Sequence, residues 1–372
     1  MSDQQQSQPS TGPASPTAAQ LASPPATQAG AQVQASVVGT LEADDQDQGG
    51  QNAPNGNDND GSSISGHSTD ESHASLRSSI LDYRRENGRT YHRLNDGKYV
   101  VPNDALEQER LDLVNHMWTI IWDGKFCLCP KDDGARRVLD IGTGTGVWAM
   151  DYADTHPEAQ VIGADLSPIQ PTYVPLNCIF EVDDLEKEWT WSEPFDFIFA
   201  RNMMGSFSDW PSAIEQAYNN LETGGYFEIH DTIYPILCDD GSVPEDSPIS
   251  KWSRLMLEAF EKTGRSVTIA RQFPQFLEEA GFENVTVTKC KHPLNDWPKD
   301  PKWKEVGGWV QESLFPGLEG LSLGLFTRVL DWTRDETLVF CAQGRNDVKN
   351  TKLHGYYDGL SVYGHKPFPK KD

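Results

Sequence analysis

A glycine-rich turn with an acid two residues ahead of it is the clearest sign of chemistry in this sequence. The turn is Asp140-Ile-Gly-Thr-Gly-Thr-Gly146, and it follows a short apolar run that begins at Arg137. Between a strand and a helix, such glycines let a ligand approach the backbone where a Cβ would collide with it. Dinucleotide sites have the longer spacing G-x-G-x-x-G and hold a pyrophosphate at the helix N-terminus. Because Asp140 would repel phosphate and attract an ammonium group, the turn favours a ligand with an amino group over NAD.

Two further acids end the next two predicted strands. Asp165 ends the run 160–165, about twenty residues after the turn, where an acid accepts both hydroxyls of a ribose. Asp183 ends the run 178–183, where a carboxylate can accept from an adenine amino group. Each acid alone is equally well a turn residue or a helix N-cap. Together with the glycines, they predict one crevice at the carboxyl edge of a parallel sheet and S-adenosylmethionine as its cofactor.

The elements that position these residues alternate between strands and helices, which is typical of a parallel sheet covered by helices on both faces. Helices are predicted at 105–121, 147–155 and 210–221, the last of them capped by Gly224-Gly225. A helical insertion rich in tryptophan is predicted at 291–335, within an α/β, Rossmann-like fold. Seven strands are predicted, at 137–141, 160–165, 178–183, 195–200, 226–230, 285–289 and 337–342.

Composition divides the chain at about residue 75. Residues 1–75 are rich in Gln, Ser, Pro, Ala, Gly and Asp and contain no Lys or Arg. Such a segment buries too little apolar surface to offset the entropy of ordering it, so it is predicted to be a disordered polar tail. Residues 76–372 are predicted to form one domain, in which 76–130 supply an N-terminal lid and helix.

Charge and apolar patterning exclude several classes of protein. The formal net charge of −25 argues against direct nucleic-acid binding, which needs clustered Lys and Arg. No apolar run approaches the roughly 20 residues of a membrane helix, and the first residues do not resemble a secretory signal. The six cysteines are scattered, and Cys127 and Cys129 have no partners at metal-ligand spacing, so no metal site is predicted. An intracellular protein, cytoplasmic or nuclear, is expected.

Longer motifs are similar to those of the fungal LaeA-like methyltransferases, class I enzymes named for a regulator of secondary metabolism. The resemblance runs from about Leu81 to Pro367 and implies a class I methyltransferase domain over 76–372. The motifs that carry it lie at 83–92, 99–104, 142–149, 164–171, 180–184, 208–211, 354–357 and 363–367.

The resemblance also implies roles for individual residues. Tyr91 and Tyr99 would belong to a lid or to the core, and Asn202 would lie beside the acceptor. The residues implied in cofactor binding are Asp140, Gly142, Thr143, Gly144 and Gly146 around the methionine end, Asp165 and Leu166 at the ribose and adenine, Asp183 and Asp184 at the adenine edge, and Arg201 near the sulfonium.

Methyl transfer from a sulfonium depends mainly on orientation, and a general base is needed only when the acceptor must lose a proton. His230 at the end of the fifth strand is the best-placed candidate base, although a histidine there is also a common structural hydrogen-bonding residue. The tryptophans of the insertion form either the core of a helical cap or an apolar acceptor pocket; they are Trp297, Trp303, Trp309 and Trp332.

Two functions remain open. The first is an enzyme that methylates a small molecule in fungal secondary metabolism. The second is a LaeA-type nuclear regulator that works through protein partners, for which the long polar tail would be an interaction arm. An NAD-dependent oxidoreductase is disfavoured by Asp140 and by the spacing of the glycines.

Overall fold

The structure, a computed structural model, describes residues 33–44, 83–94 and 99–369. Its strands are β1 (Gln34–Val37), β2 (Arg84–Glu86), β3 (Arg89–Tyr91), β4 (Arg137–Ile141), β5 (Gln160–Asp165), β6 (Cys178–Val182), β7 (Phe195–Arg201), β8 (Leu221–Leu237), β9 (Glu283–Pro293) and β10 (Tyr356–His365). Its α-helices are α1 (Ala105–Ile121), α2 (Val147–Thr155), α3 (Trp210–Asn220), α4 (Pro248–Lys262), α5 (Phe273–Ala280), α6 (Pro301–Val329) and α7 (Arg334–Val348).

Eight strands of the described residues form one mixed sheet in the order β1-β9-β10-β8-β7-β4-β5-β6. Strands β6, β5, β4, β7 and β8 run parallel to one another, and β10 runs antiparallel to both β8 and β9. Strands β2 and β3 form a separate hairpin. The predicted Rossmann-like sheet is confirmed, and its parallel half brings the carboxyl ends of β4, β5, β6 and β7 to one edge.

Alternating side chains on the central strands bury both faces of the sheet. On β7, Phe197 and Phe199 pack with Trp148 of α2 on one face. On the other face, Ile198 packs in a cluster with Ile214 of α3 and residues of α5. This period-2 alternation is the reason that such an apolar run forms a strand covered by helices on two sides.

A third cluster joins the inserted helices to α1 and α4. Helix α6 presents glycines to its neighbours, and a Cβ on Gly317 would lie 3.0 Å from Arg110 Cδ on α1. Residues 291–293 of the predicted insertion belong to β9, and its helices continue past the predicted end at 335 to Val348. No helix among the described residues is long and apolar enough to cross a membrane.

The predicted strand at 337–342 is wrong, because these residues lie in α7. Thr333 caps that helix: its hydroxyl accepts from the backbone N–H of Glu336, whose carboxylate accepts from the backbone N–H of Thr333. This reciprocal pair favours a helix start over a strand. The sheet of the described residues has eight strands instead of the predicted seven, and the two that were not predicted are β1 and β10. Gly224 and Gly225 also do not cap α3, since β8 begins at Leu221.

Part of the predicted disordered tail is ordered. Residues 34–37 pair in parallel with β9, and Val38 N donates to Lys289 O at 2.8 Å. Asp44 then pairs with Lys304 Nζ at 2.5 Å. Backbone pairing with an open sheet edge stabilises a short segment whose composition alone predicts disorder. The other residues of the predicted tail lie outside the described residues.

Candidate active site

A cleft of about 1200 Å³, part of it open to solvent, lies at the carboxyl ends of the parallel strands. Nine of the ten predicted cofactor residues line it together. They are Asp140, Gly142, Thr143, Gly144, Asp165, Leu166, Asp183, Asp184 and Arg201. The tenth, Gly146, and the candidate base His230 do not line this cleft.

Backbone hydrogen bonds hold the glycine turn against the next strand. Gly142 N and Thr143 N both donate to Ala164 O, at 2.9 and 3.1 Å. Gly144, at a φ of +57°, points its N–H to Asp165 Oδ2 at 2.9 Å. Asp165 Oδ1 accepts from Ser167 N, also at 2.9 Å. The two backbone donors therefore fix the orientation of the Asp165 carboxylate beside the turn.

Asp140 is a buried acid of the cleft wall, 3% exposed. Thr143 Oγ1 donates to Asp140 Oδ2 at 2.6 Å. Burial raises the pKa of Asp140 to about 7, opposed by the Thr143 hydrogen bond and by the charge of Arg201, while nearby Asp165 adds to the rise. A positively charged ligand beside Asp140 would restore its ionised form.

Gly146 serves packing and is set back from the cleft. It precedes α2 at a φ of +82°, a conformation that favours glycine. A Cβ at this position would collide with the ring of Phe180 on β6. The sequence pattern identified the residue correctly as part of the turn, but its contact is with the neighbouring strand.

Asp183 and Asp184 directly follow β6 at the far side of the cleft. Asp184 N donates to Asp183 Oδ1 at 2.7 Å, and Asp184 Oδ1 accepts from Glu186 N at 3.2 Å. Apolar side chains lie around these polar groups, as expected where a planar aromatic ring would be bound. The apolar residues in this wall are Leu166, Ile169, Leu185 and Phe207.

The opposite wall comes from the lid segment and α1, which sequence reasoning assigned only in general terms. Tyr99 lines the cleft, whereas Tyr91 is buried in the core. Asn103 Nδ2 donates to Ser167 Oγ at 3.4 Å and so joins the lid to the residues after β5. Glu107, buried on α1, pairs with Arg110 at 2.6 Å. The N-cap at Asp104 and the i,i+3 spacing of Glu107 and Arg110 were the available signals.

Arg201 lies where the cleft meets α1, and its hydrogen bonds go to neutral groups. Its Nη1 donates to Asn115 Oδ1 at 2.8 Å, and its Nη2 donates to Phe126 O at 3.3 Å. Burial lowers the pKa of Arg201 to about 10, despite the charges of Asp140 and Glu228. Asn202, next in the chain, adopts a φ of +54° and accepts from Trp118 Nε1 at 3.0 Å.

His230 is fully buried behind Arg201 and is absent from the cleft surface. Its Nδ1 accepts from Arg201 Nη2 at 3.1 Å and from Trp122 Nε1 at 3.2 Å. Its Nε2 donates to Glu228 Oε1 at 2.6 Å. Burial, together with Arg201, lowers the pKa of His230 to about 4, against the influence of Glu228. With both nitrogens engaged, His230 has no free lone pair to accept a proton from an acceptor.

Glu228 is likewise fully buried and satisfied. It accepts from Leu128 N and Cys129 N at 2.8 and 2.7 Å and from Ser361 Oγ at 2.8 Å. Burial favours its protonated form, but His230 and the backbone donors outweigh it and lower the pKa of Glu228. The thiols of Cys127 and Cys129 lie 3.7 Å apart, and with Glu228 they form a group of metal-ligating side chains that spacing in the sequence did not predict.

The tryptophans of the insertion do not line the cleft. Trp303 is buried in the cluster that joins the insertion to α1 and α4, and Trp309 and Trp332 pack against that cluster. Trp297 is buried and donates to Gly355 O at 3.0 Å. Trp303, Trp309 and Trp332 therefore belong to the core of a helical cap, which was one of the two predicted alternatives.

Comparison with known proteins agrees with this geometry. A family model described as a methyltransferase domain matches residues 114–287. The chain is 40% identical to the methyltransferase pytC of Aspergillus terreus over 301 residues, which cover 81% of this chain and 93% of that protein. This chain belongs to the LaeA-like methyltransferase family. It is an enzyme of the methyltransferase class, and the family implies S-adenosylmethionine as its methyl donor.

The other relatives of this LaeA-like methyltransferase include one protein named as a methyltransferase and one named as a regulator. One is the probable methyltransferase tdiE of Emericella nidulans, 33% identical over 70% of this chain and 82% of that protein. Another is the secondary metabolism regulator laeA of Aspergillus fumigatus, 35% identical over 73% of this chain and 74% of that protein. The family therefore contains proteins named as enzymes and proteins named as regulators.

Proposed function

We propose that the cleft binds S-adenosylmethionine and that the enzyme methylates a small molecule of fungal secondary metabolism. The observation that carries the proposal is the convergence of Asp140, Asp165 and Asp183 on one cleft beside the glycine turn. In this proposal Asp140 faces the ammonium group, Asp165 faces the ribose hydroxyls, and Asp183 with Asp184 faces the adenine edge. A cationic nucleoside without phosphate fits a cleft lined by so many carboxylates.

The open backbone of the glycine turn also supports binding of S-adenosylmethionine in this cleft. Gly144 has only Leu111 Cδ1 near the position of a Cβ, at 3.5 Å, so the backbone is open on the cleft side. When bound, S-adenosylmethionine supplies a methyl group on an already activated sulfonium. The enzyme's own residues then have to orient the two reactants and exclude water, which can supply roughly 7–11 kcal/mol of the barrier. Tyr99, Asn202 and Met203 lie in the wall where an acceptor would enter.

Calorimetric titration with S-adenosylhomocysteine tests the cofactor assignment. Asp165→Ala is expected to weaken binding at least 100-fold, because it removes both ribose contacts and the anchor of the glycine turn. Asp209→Asn is the matched control, since Asp209 is an exposed acid that caps α3 outside the cleft. Equal affinity of the Asp165→Ala variant and the wild type would remove the assignment.

Metabolite profiling of a strain that lacks this protein tests the acceptor class. The proposal predicts loss of one methylated compound and accumulation of its unmethylated precursor. Recombinant enzyme should then convert that precursor with S-adenosylmethionine. Wild-type metabolite levels in the deletion strain would contradict a role in secondary metabolism.

A second candidate function is a LaeA-type regulator that acts in the nucleus through protein partners. Similarity to proteins named as secondary metabolism regulators favours it. The same deletion strain distinguishes the two functions. If it loses many unrelated families of metabolites and accumulates no single precursor, the result would support the regulator over the pathway enzyme.

A further inference from the structure

Arg201 is a cation in the cleft wall that lacks a carboxylate partner. Within the described part of the chain, no Asp or Glu oxygen lies within salt-bridge distance of its guanidinium group. Its donors are directed to the Asn115 amide, the Phe126 carbonyl and the ring of His230, and its guanidinium carbon lies 5.0 Å from the centre of the Phe199 ring. Partial burial of a charge without a counter-ion is unfavourable, and an anionic ligand would relieve it.

A carboxylate does stand behind Arg201, but a neutral ring separates the two. Glu228 contacts His230 Nε2 at 2.6 Å, and His230 Nδ1 contacts Arg201. The imidazole is therefore present as the Nε2–H tautomer, which donates to Glu228 and accepts from Arg201. If Glu228 touched the guanidinium directly, the pair would neutralise the cation, and little of its charge would remain for a ligand.

Several contacts fix this arrangement. Trp122 Nε1 shares His230 Nδ1 with Arg201, and Trp118 stacks on the imidazole with ring centroids 5.5 Å apart. Leu128 N, Cys129 N and Ser361 Oγ occupy the remaining positions around Glu228. A carboxylate with so many donors cannot swing toward Arg201 without leaving buried N–H groups unpaired.

We infer that His230 and Glu228 are positioning residues that hold Arg201 in place and keep its charge free for a carboxylate in the cleft. This inference rests on the proposed function, because it supplies the role of Arg201 in that same site. The carboxylate belongs either to the amino-acid end of the methyl donor or to the acceptor. Bidentate guanidinium–carboxylate pairing is the chemistry shared by both sources.

The test compares two ligands that differ in the amino-acid end. S-Adenosylhomocysteine carries the carboxylate, and 5′-methylthioadenosine lacks it. His230→Phe keeps an aromatic ring among Trp118, Trp122 and Phe199 but removes both ring nitrogens. If the donor supplies the carboxylate, calorimetry should find S-adenosylhomocysteine weakened at least tenfold in His230→Phe and methylthioadenosine unchanged. A purely structural role for His230 would weaken both ligands alike.

Two further variants make the result interpretable. His156→Phe is the matched control, since it makes the same substitution at a buried histidine that stacks on Tyr152 and does not line the cleft, and it should keep the wild-type ratio of the two affinities. His230→Asn restores an acceptor and a donor and should recover part of the loss. If His230→Phe does not fold, Trp122→Phe replaces it in the test. This variant removes one donor to His230 Nδ1 and should shift the ratio of the two affinities in the same direction by a smaller factor.

The second source is tested with benzoate as the carboxylate probe, in the presence of saturating S-adenosylhomocysteine. If the acceptor supplies the carboxylate, benzoate should bind to the wild type and not to His230→Phe, while the ratio of nucleoside affinities stays constant. The inference is overturned if the wild type and His230→Phe show the same ratio of nucleoside affinities and the same binding of benzoate. Failure of the wild type to bind either nucleoside would instead remove the proposed function itself.

Discussion

The two walls of the cleft differ in how they are built. One wall consists of short segments that each follow a parallel strand directly, namely the glycine turn after β4 and the acids at the ends of β5 and β6. The other wall is assembled from the lid segment, α1 and the residues after β7. Strand ends of a parallel sheet are fixed in space by its register, whereas the second wall depends on contacts between distant segments. Under the proposed function, this first wall, the strand-end wall, would hold the cofactor, and the second wall would leave room for different acceptors.

The insertion behind the second wall should matter for stability and little for cofactor affinity. Phe326 on α6 is fully buried and packs against Trp332 and Phe340. Phe326→Ala should lower the free energy of unfolding by about 3–5 kcal/mol. The folded variant should still bind S-adenosylhomocysteine with wild-type affinity, measured by denaturant titration and calorimetry. A large loss of affinity in the folded variant would show that the insertion contributes to cofactor binding by the strand-end wall.

A substitution in the glycine turn should lower both the stability of the protein and its affinity for the cofactor. Gly146→Ala places a methyl group against Phe180 at a φ of +82°. Left-handed strain and overpacking together should lower the free energy of unfolding by on the order of 2–4 kcal/mol, and distortion of the turn should weaken nucleoside binding. Gly308→Ala is the control, since this position in α6 has no atom within 4 Å of a Cβ, and it should be neutral or slightly stabilising.

Asp140 should make cofactor binding depend on pH. Thr143, Arg201 and Asp165 are the groups that influence this carboxyl, and burial raises its pKa to about 7. If the ionised form holds the ammonium group, affinity for S-adenosylhomocysteine should fall about tenfold between pH 8 and pH 6. Asp140→Asn should bind weakly, with little dependence on pH. An equally steep pH profile in that variant would place the titrating group elsewhere.

The same raised pKa has a consequence for stability. Between pH 4 and pH 7 the folded protein retains a proton on Asp140 that the unfolded chain has lost, so this group makes the folded state less stable as the pH rises. Relative to Asp140→Asn, the wild type should therefore lose unfolding free energy across that interval. Denaturant titrations of both proteins at pH 4.5 and pH 7.5 measure the difference.

The hairpin that links the lid to the insertion should give the smallest effect. Arg328 on α6 pairs with Glu86 of β2 at 2.7 Å, and both side chains are partly exposed. Arg328→Gln should lower the free energy of unfolding by about 0.5–1 kcal/mol and change cofactor affinity little. Arg334→Gln, which removes an exposed pair with Asp335, should leave stability unchanged. A large loss of nucleoside affinity in Arg328→Gln would show that the hairpin also contributes to nucleoside binding.

Sequence alone predicted which residues share the strand-end wall, because its signals are local. A strand, its turn and its terminal acid lie within a few residues of one another, so the fold class and the residues that share the cleft followed from spacing. His230 shows where such reasoning ends. It was predicted to end a strand at the cleft edge, which is wrong, because β8 continues to Leu237. Trp118 and Trp122 of the distant α1 segment pack on its ring and contribute to its burial.

The errors in the fold had identifiable causes. Residues 337–342 form an apolar run that is typical of a strand, yet the buried positions of α7 follow helical spacing at Thr337, Cys341, Gly344 and Val348. With the capping residue Thr333, that spacing was a readable signal for a helix. The order of β1 could not be read from composition, because its stability comes from pairing with β9.

Hydrogen exchange with and without S-adenosylhomocysteine tests the central claim most directly, namely that the strand-end wall holds the cofactor. The account predicts slower exchange in residues 140–147 and 165–170, including the amides of Gly144 and Ser167 that donate to Asp165, with no change in α6. Protection within α6 and none in the glycine turn would contradict it.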